Sequence, residues 1–323
     1  MKSIRLPRLT VTNPTPQFPD LEERLASLPI QKPDLQGRRI AILKHRFAGA
    51  EPTGYLMDVM AAIWQRWSAE IIYVAGPIIP RDVDIAVLHV DLTRVPKYYV
   101  PSSRRAATVV NGQILDIRKS QCLDDLLSPN SAWDGPVIVK SDENYFGRPD
   151  RLLLKGRWLP EALTYRWRQK VAQLTGRHVQ FNSKDDYRVF PSLAAAPPWG
   201  FYPGSVVQPF QPERQGNRYV LREYYFFGDH HYFNTELGES AVITSGQGID
   251  SEVVNVPKEL LALRKQLGMD FGKFDFVMVD GRAVIYDVNK TPAIRRPVSA
   301  IGWQLSTHLA QGILTCLRRS LSS

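Results

Sequence analysis

FDFVMVDGRAVIYDVNKTP, Phe274 to Pro292, is the stretch on which the fold of this chain turns. Two apolar arms flank Asp280-Gly281, and Asp-Gly between arms rich in Val, Ile, Phe and Tyr predicts a β-hairpin. Asp275, Asp287 and Asn289 lie inside those arms, where a carboxylate is costly to bury unless it is paired or holds a metal. Three oxygen-bearing side chains so placed point to a site for a hard cation. Register decides whether they share a face. A two-residue loop, Asp280-Gly281, would set Asp275 opposite Tyr286 and turn Asp287 to the other side. A three-residue loop, Val279-Asp280-Gly281, would set Asp275 opposite Ile285, with Asp287 diagonal to it on the same face and Asn289 two residues on. The three-residue register is the expectation; the alternative is a hairpin whose acids merely keep an edge soluble.

Working outward, Pro257 to Gly268 reads as a helix that feeds the hairpin, and Val206 to Phe210, Arg218 to Phe227 and His231 to Asn234 read as strands. Near the start, Arg39 to Leu43, Glu70 to Val74 and Ile85 to Val90 are strand-like, with an amphipathic helix from Tyr55 to Trp67 between the first two. That order begins an open α/β sheet. Thr108 to Val110 leads into an Asn111-Gly112 turn, and Pro136 to Val139 is a short buried strand ending in Lys140. A polar loop from Ser141 to Asp150 and a basic helix from Pro160 to Gly176 follow. Ala194 to Gly204 has the composition of a linker, and Ser245-Gly-Gln-Gly248 that of a lid or plain loop. A final helix from about Ile301 to Leu321 carries a stripe at Ile301, Leu305, Leu309, Ile313 and Leu317. The stripe is most simply a core face, with a homodimer contact as the alternative. The expected division is an extension over 1–36, an α/β domain over 37–118, a central lobe over 119–205 and a C-terminal lobe over 206–323.

The 323 residues and 44% apolar content suit a globular protein of two or three packed units. No apolar run approaches the roughly 20 residues of a membrane span, and Met1 to Leu21 lacks the apolar core of a secretory signal. Cys122 and Cys316 are the sole cysteines, in keeping with a reducing cytoplasm. The net charge of +9 suits an anionic small molecule as well as nucleic acid; with no basic tail and no zinc-finger spacing, nucleic acid is the less favoured partner. His230 and His231 are strand neighbours facing opposite ways, and neither a Walker loop nor a Gly-x-Ser-x-Gly elbow is present.

Two cations stand out. Lys140 closes an apolar strand and would project into the crevice at its end, to hold a phosphate or simply to meet solvent. Arg222 shares its strand face with Val220, Tyr224 and Phe226, so it needs an anionic partner, either a structural carboxylate or a phosphate.

The order of these parts resembles the ATP-grasp superfamily, of the glutathione synthetase-like, carboxylate–amine ligase kind. The order is an α/β unit, the Val-Ile-Val-Lys140 strand, a small lobe, Val206 to Phe210, the Arg222 strand, a helix, then Asp275 and Asp287-Val-Asn289. The resemblance runs from about Arg38 to the C-terminus. It implies an α/β fold with an N-terminal open α/β domain, a small central lobe and a mixed-sheet C-terminal lobe, and ATP bound between the last two. Carried onto this sequence, it implies Mg²⁺ on Asp275, Asp287 and Asn289. Lys119, Lys140 and Arg222 would lie on the phosphates, with Lys140 and Arg222 serving catalysis. Gln208 and Phe210 would lie on the strand that meets adenine, Glu213 on the ribose, and Arg295 and Arg296 on a substrate carboxylate. The implied activity is ligation of a small-molecule carboxylate to an amine through an acylphosphate. The chain departs from the family at Asp287, where Glu is usual, at Lys290-Thr-Pro-Ala293, where Pro-Gly often follows, and in a phosphate loop with Gly147 alone. Those departures keep a nucleotide-binding protein without turnover open as the alternative, and the positive charge keeps open a metal-dependent nuclease.

Overall fold

The computed structural model of the chain describes residues 10–12, 18, 21–27, 33–49, 54–243, 247–250 and 255–321. It begins with β1 (Thr10–Thr12), α1 (Leu21–Ser27), β2 (Arg39–Lys44), α2 (Leu56–Arg66), β3 (Glu70–Ala75), β4 (Val83–Leu88) and β5 (Ala106–Val110). β3, β2, β4 and β5 lie side by side in parallel, and β1 adds an antiparallel edge. A parallel sheet is covered on both faces, which is why Ile40 to Leu43 is apolar without alternation. Ile40 and Ile42 join the core beneath α2, while Ala41 and Leu43 join a second core on the opposite face. The expected N-terminal extension is partly structured, with Leu21 and Leu25 of α1 buried in the first of these cores.

The central lobe follows, with α3 (Lys119–Cys122), β6 (Val137–Ser141), α4 (Arg148–Leu154), α5 (Pro160–Leu174), β7 (Arg188–Phe190) and β8 (Ser205–Pro209). Its sheet is antiparallel in the order β7-β6-β8, so it runs on past residue 205. The Ala194 to Gly204 stretch is no linker. Gly200 packs against Val139 and Val207 so closely that a Cβ there would come within 3.2 Å of Val139. α5 buries only Ala162 and leaves Leu163, Trp167 and Leu174 exposed.

The remaining strands and helix are β9 (Glu213–Gln215), β10 (Arg218–Phe227), β11 (His230–Gly238), β12 (Gln247–Asp250), α6 (Lys258–Leu267), β13 (Phe271–Val279) and β14 (Arg282–Asn289). They form one sheet in the order β12-β11-β10-β13-β14, with β9 also on β10. Every pairing is antiparallel, which corrects the expected mixed sheet. Tight turns reverse the chain between β10 and β11 and between β13 and β14, where a parallel pair would need a long crossover. Of the stretch read as a lid, Ser245 and Gly246 lie outside the described residues, and Gln247 and Gly248 belong to β12.

The expected single terminal helix is two, α7 (Ala300–Ala310) and α8 (Ile313–Leu321). The break falls where Gly312 abuts β10: a Cβ there would lie 2.0 Å from the Phe227 carbonyl oxygen. Both helices return to the N-terminal unit. Leu305, Leu309, Ile313 and Leu317 share a core with Ile40, Ile42 and α2, and the Trp64 indole donates to the Ala310 carbonyl at 2.8 Å. Ile301 of the same stripe is half-buried and lines the cleft described next. Asn111 makes a second tie between the lobes, with Oδ1 accepting from the backbone N–H of Asp270 and Phe271 and Nδ2 donating to the Phe271 carbonyl. Its left-handed backbone (φ 60°), which Asn tolerates better than most residues, aims the amide at the start of β13. Among the described residues no helix is long and apolar enough to cross a membrane.

Candidate functional site

Val279 faces Arg282, so the β13–β14 loop is the two-residue Asp280-Gly281, with both residues at positive φ (47° and 77°) as a type I′ turn requires. The expected three-residue loop is corrected. The two acids nevertheless share a face, because β14 bulges at Tyr286. Phe276 faces Ile285, and beyond the bulge Asp275 faces Asp287 and Lys273 faces Asn289. One extra residue restores the alternation that the shorter loop would have broken. The central lobe holds the bulge: Gln208 Nε2 donates to the Ile285 carbonyl at 2.9 Å, and Lys140 Nζ donates to the Tyr286 carbonyl at 2.5 Å. The Tyr286 hydroxyl accepts from the Gln211 backbone N–H.

Across three adjacent strands Glu223, Asp275 and Asp287 form a row, with Tyr225, Lys273 and Asn289 on the neighbouring rung. Lys273 Nζ lies 2.6 Å from Glu223 Oε1 and 2.8 Å from Asp275 Oδ1. Asn234 Nδ2 and the Tyr225 hydroxyl donate to the other Glu223 oxygen. From the opposite wall Lys119 Nζ reaches Asp287 Oδ1 at 2.9 Å, and Lys140 Nζ donates to Gln208 Oε1. Three lysines thus meet three carboxylates in one cleft of about 580 Å³ between the central and C-terminal sheets. Among the described residues no three His, Cys, Asp or Glu side chains converge closely enough to hold a metal by themselves. Asn289 lines the cleft with its Oδ1 accepting the Thr291 backbone N–H at 2.8 Å. The fit to magnesium therefore rests on the two carboxylates, Asp275 and Asp287, this hard cation being commonly bound by one or two carboxylates plus substrate phosphates.

Burial works against every charge here, and the partners decide the outcome. It pushes the Asp275 carboxyl up, with Lys273 opposing, whereas at Asp287 it is outweighed by Lys119 and then Lys140, leaving that carboxyl below its ordinary range. Lys273 is held well above the ordinary lysine value by Asp275 and Glu223 despite its burial. Burial and the neighbouring Lys119 charge push Lys140 down to about 7. A polyanion entering the cleft favours the charged lysine, so its binding above pH 7 takes up a proton, and affinity falls as pH rises through that value. At pH 8 the observed heat of binding inorganic tripolyphosphate, as a probe polyanion, is expected to vary with the ionisation enthalpy of the buffer, and Lys140→Met to abolish the variation. A buffer-independent heat in the wild-type protein would show that Lys140 takes up no proton when a polyanion binds.

The loop after β6 also lines the cleft, through Asn144, Tyr145 and Phe146. Tyr145, Phe146 and Gly147 take three successive positive φ values (44°, 61° and 69°), a strain that proteins tend to keep at functional sites. At Gly147 a Cβ would lie 1.8 Å from a Glu143 carboxylate oxygen.

Other residues singled out in the sequence land elsewhere. Gln208 is fully buried, and its side chain is a strut linking Lys140, Asp125 and β14; Phe210 lines the cleft. Arg222 and Glu213 face away from the cleft and bind each other, with Arg222 Nε 2.9–3.0 Å from both carboxylate oxygens. Glu213 also accepts the Met278 backbone N–H. A terminal-phosphate role for Arg222 and a ribose role for Glu213 are therefore corrected: strand alternation turns Glu223, not Arg222, toward Asp275. Arg295 lines the cleft, but Arg296 lies over the Phe18 ring, so the pair forms no clamp. Lys273 and Glu223 were missed. The i, i+2 spacing of Lys273 and Asp275 carried the signal for the first, and the parity opposite Arg222 carried it for the second.

Two antiparallel lobes, each supplying charged side chains to one cleft and set against an N-terminal sheet that is parallel except at its edge, follow the order implied by the resemblance to the ATP-grasp superfamily, with an antiparallel C-terminal sheet in place of the expected mixed one. No protein-family model matches the chain, and no curated protein is significantly similar to it. Among solved structures it is similar to the D-alanine–D-alanine ligase of Bacillus anthracis, at 12% identity and a TM-score of 0.39, covering 88% of this chain and 98% of that one. A RimK domain ATP-grasp protein from Sphaerobacter thermophilus matches at 15% identity and a TM-score of 0.43, covering 85% and 99%. The macrocyclase MdnC of Microcystis aeruginosa, bound with precursor peptide MdnA, matches at 9% identity and a TM-score of 0.40, covering 84% and 99%. With TM-scores below 0.5, the functional reading stands on the residues of the cleft itself.

Proposed function

We propose that the cleft binds Mg-ATP and that the chain ligates a carboxylate to an amine or similar nucleophile. The observation that carries this reading is the convergence of Lys119, Lys140 and Lys273 with Glu223, Asp275 and Asp287 in one cleft that also has apolar walls at Ile138 and Phe210. A base and sugar suit the apolar part, and a polyphosphate suits the lysines. Asp275 and Asp287 would hold Mg²⁺, which supplies charge neutralisation on the phosphates. Lys119 and Lys140 then face a phosphoryl group whose charge grows on transfer to the substrate carboxylate, and their fixed positions stabilise that charge without reorganisation. The acylphosphate so formed is attacked by the amine, and phosphate leaves. Arg295, on the cleft wall, is the candidate to orient the incoming carboxylate.

Titration of ATP into the purified protein, with Mg²⁺ and again with chelator, tests the nucleotide site. Binding that requires Mg²⁺ and is lost in Asp275→Asn is the expected result; no binding by the folded wild-type chain would remove the nucleotide from this reading. ADP release on adding pools of carboxylic acids and amines tests the ligase step. One observation favours a nucleotide-binding role without turnover: Arg222 is engaged by Glu213 and supplies no guanidinium to the phosphates. Under that reading ATP binds and no pool releases ADP.

A further inference from the structure

Glu223, Asp275 and Asp287 stand on three neighbouring strands, so the row has two gaps, each about 5 Å wide, in which a cation could sit between carboxylates. The gap between Glu223 and Asp275 is filled by the chain itself. Lys273 Nζ contacts both carboxylates, at 2.6 and 2.8 Å, and Asn234 and Tyr225 complete the hydrogen bonding of Glu223. The Lys273 side chain is largely buried, so the ammonium is not a surface counter-ion free to swing away. In the other gap, between Asp275 and Asp287, no cation among the described residues bridges both acids: Lys119 pairs with Asp287 and also donates to the Glu143 carbonyl, while Asp275 pairs with Lys273.

We propose that the Lys273 ammonium is a resident cation standing in for a divalent ion between Glu223 and Asp275, so that the cleft accepts a single divalent ion, in the gap between Asp275 and Asp287. The inference rests on the reading of this cleft as a metal–nucleotide site, and it makes the chain's metal stoichiometry a property of one residue. An ammonium with three donors bridges two buried carboxylates by hydrogen bonds, with one positive charge where a divalent ion would bring two, and it cannot be chelated away or exchanged.

Manganese alone is the probe, followed by the loss of the free Mn²⁺ resonance in electron paramagnetic titrations without nucleotide. The wild-type chain is expected to take up one Mn²⁺, Lys273→Met to take up two, and the Glu223→Gln/Lys273→Met double variant to return to one. Lys273→Arg, which keeps the charge, should behave as wild type. Equal stoichiometry in the wild type and a folded Lys273→Met variant would overturn the proposal. So would two ions on the wild-type chain, a result that needs no variant to fold. Failure of the wild type to bind ATP while Lys273→Met gains an ion would sink the nucleotide reading and leave the role of Lys273 standing.

Discussion

Asp287→Ala is expected to lose magnesium-dependent nucleotide binding by more than about a hundredfold, the scale set by one charged contact of roughly 3 kcal/mol. The same substitution is expected to destabilise the protein by up to about 3 kcal/mol, because removing the Asp287 carboxylate, itself 29% exposed, strands a buried cation. The stranded group is Lys119, whose side chain is 3% exposed and whose ammonium lies 2.9 Å from Asp287 Oδ1. Asp287→Ala/Lys119→Met separates the two losses. Urea unfolding should show much of the stability returning, since no buried charge is left unpaired, while calorimetry should show no return of magnesium-dependent binding. Binding within a few-fold of wild type in a folded Asp287→Ala protein would withdraw the metal role from this residue. Unchanged stability would show that Lys119 finds another anion.

Trp64→Ala is the second large effect, expected at about 3–5 kcal/mol as for other buried aromatic truncations. Trp64 is fully buried on α2, packs against the Phe227 ring of β10 and donates its indole N–H to the Ala310 carbonyl on α7. Those contacts join the N-terminal parallel sheet to the strand that carries Glu223. The loss should therefore be shared: amide hydrogen exchange should accelerate in β10 and β13 as well as in β2 and β4. Acceleration confined to the N-terminal strands would mean that the units unfold independently. Trp167→Ala offers the contrast, since that ring is 66% exposed on α5 and its removal should stay within about 0.5 kcal/mol.

The strand and helix content was legible because periodicity and turn chemistry are local. Arg218 to Phe227 emerged as β10 with its expected bounds, and the apolar run Ile40 to Leu43 lies in a parallel strand buried on both faces. The terminal stripe was likewise readable as core, although Gly312 breaks its helix for a reason that lies on β10, far away in sequence. Asp275, Asp287 and Asn289 could be singled out because acids in apolar strands conflict with burial, and such a conflict is visible in one dimension.

What the sequence determined by itself was therefore most of the longer strands and helices, their order, and some of the charged residues that burial makes costly. Only the tertiary structure decided which of those charges meet. Arg222 and Glu223 are adjacent, and alternation assigns them to opposite faces, but only packing against the central lobe makes Glu223's face the cleft and leaves Arg222 to Glu213. The register of β13 on β14 depends on a bulge at Tyr286 whose carbonyl is bound by Lys140, 146 positions away in the chain. Contacts of that kind carry no local signal, because they are chosen by the free energy of burying charged groups together once the lobes have closed on each other.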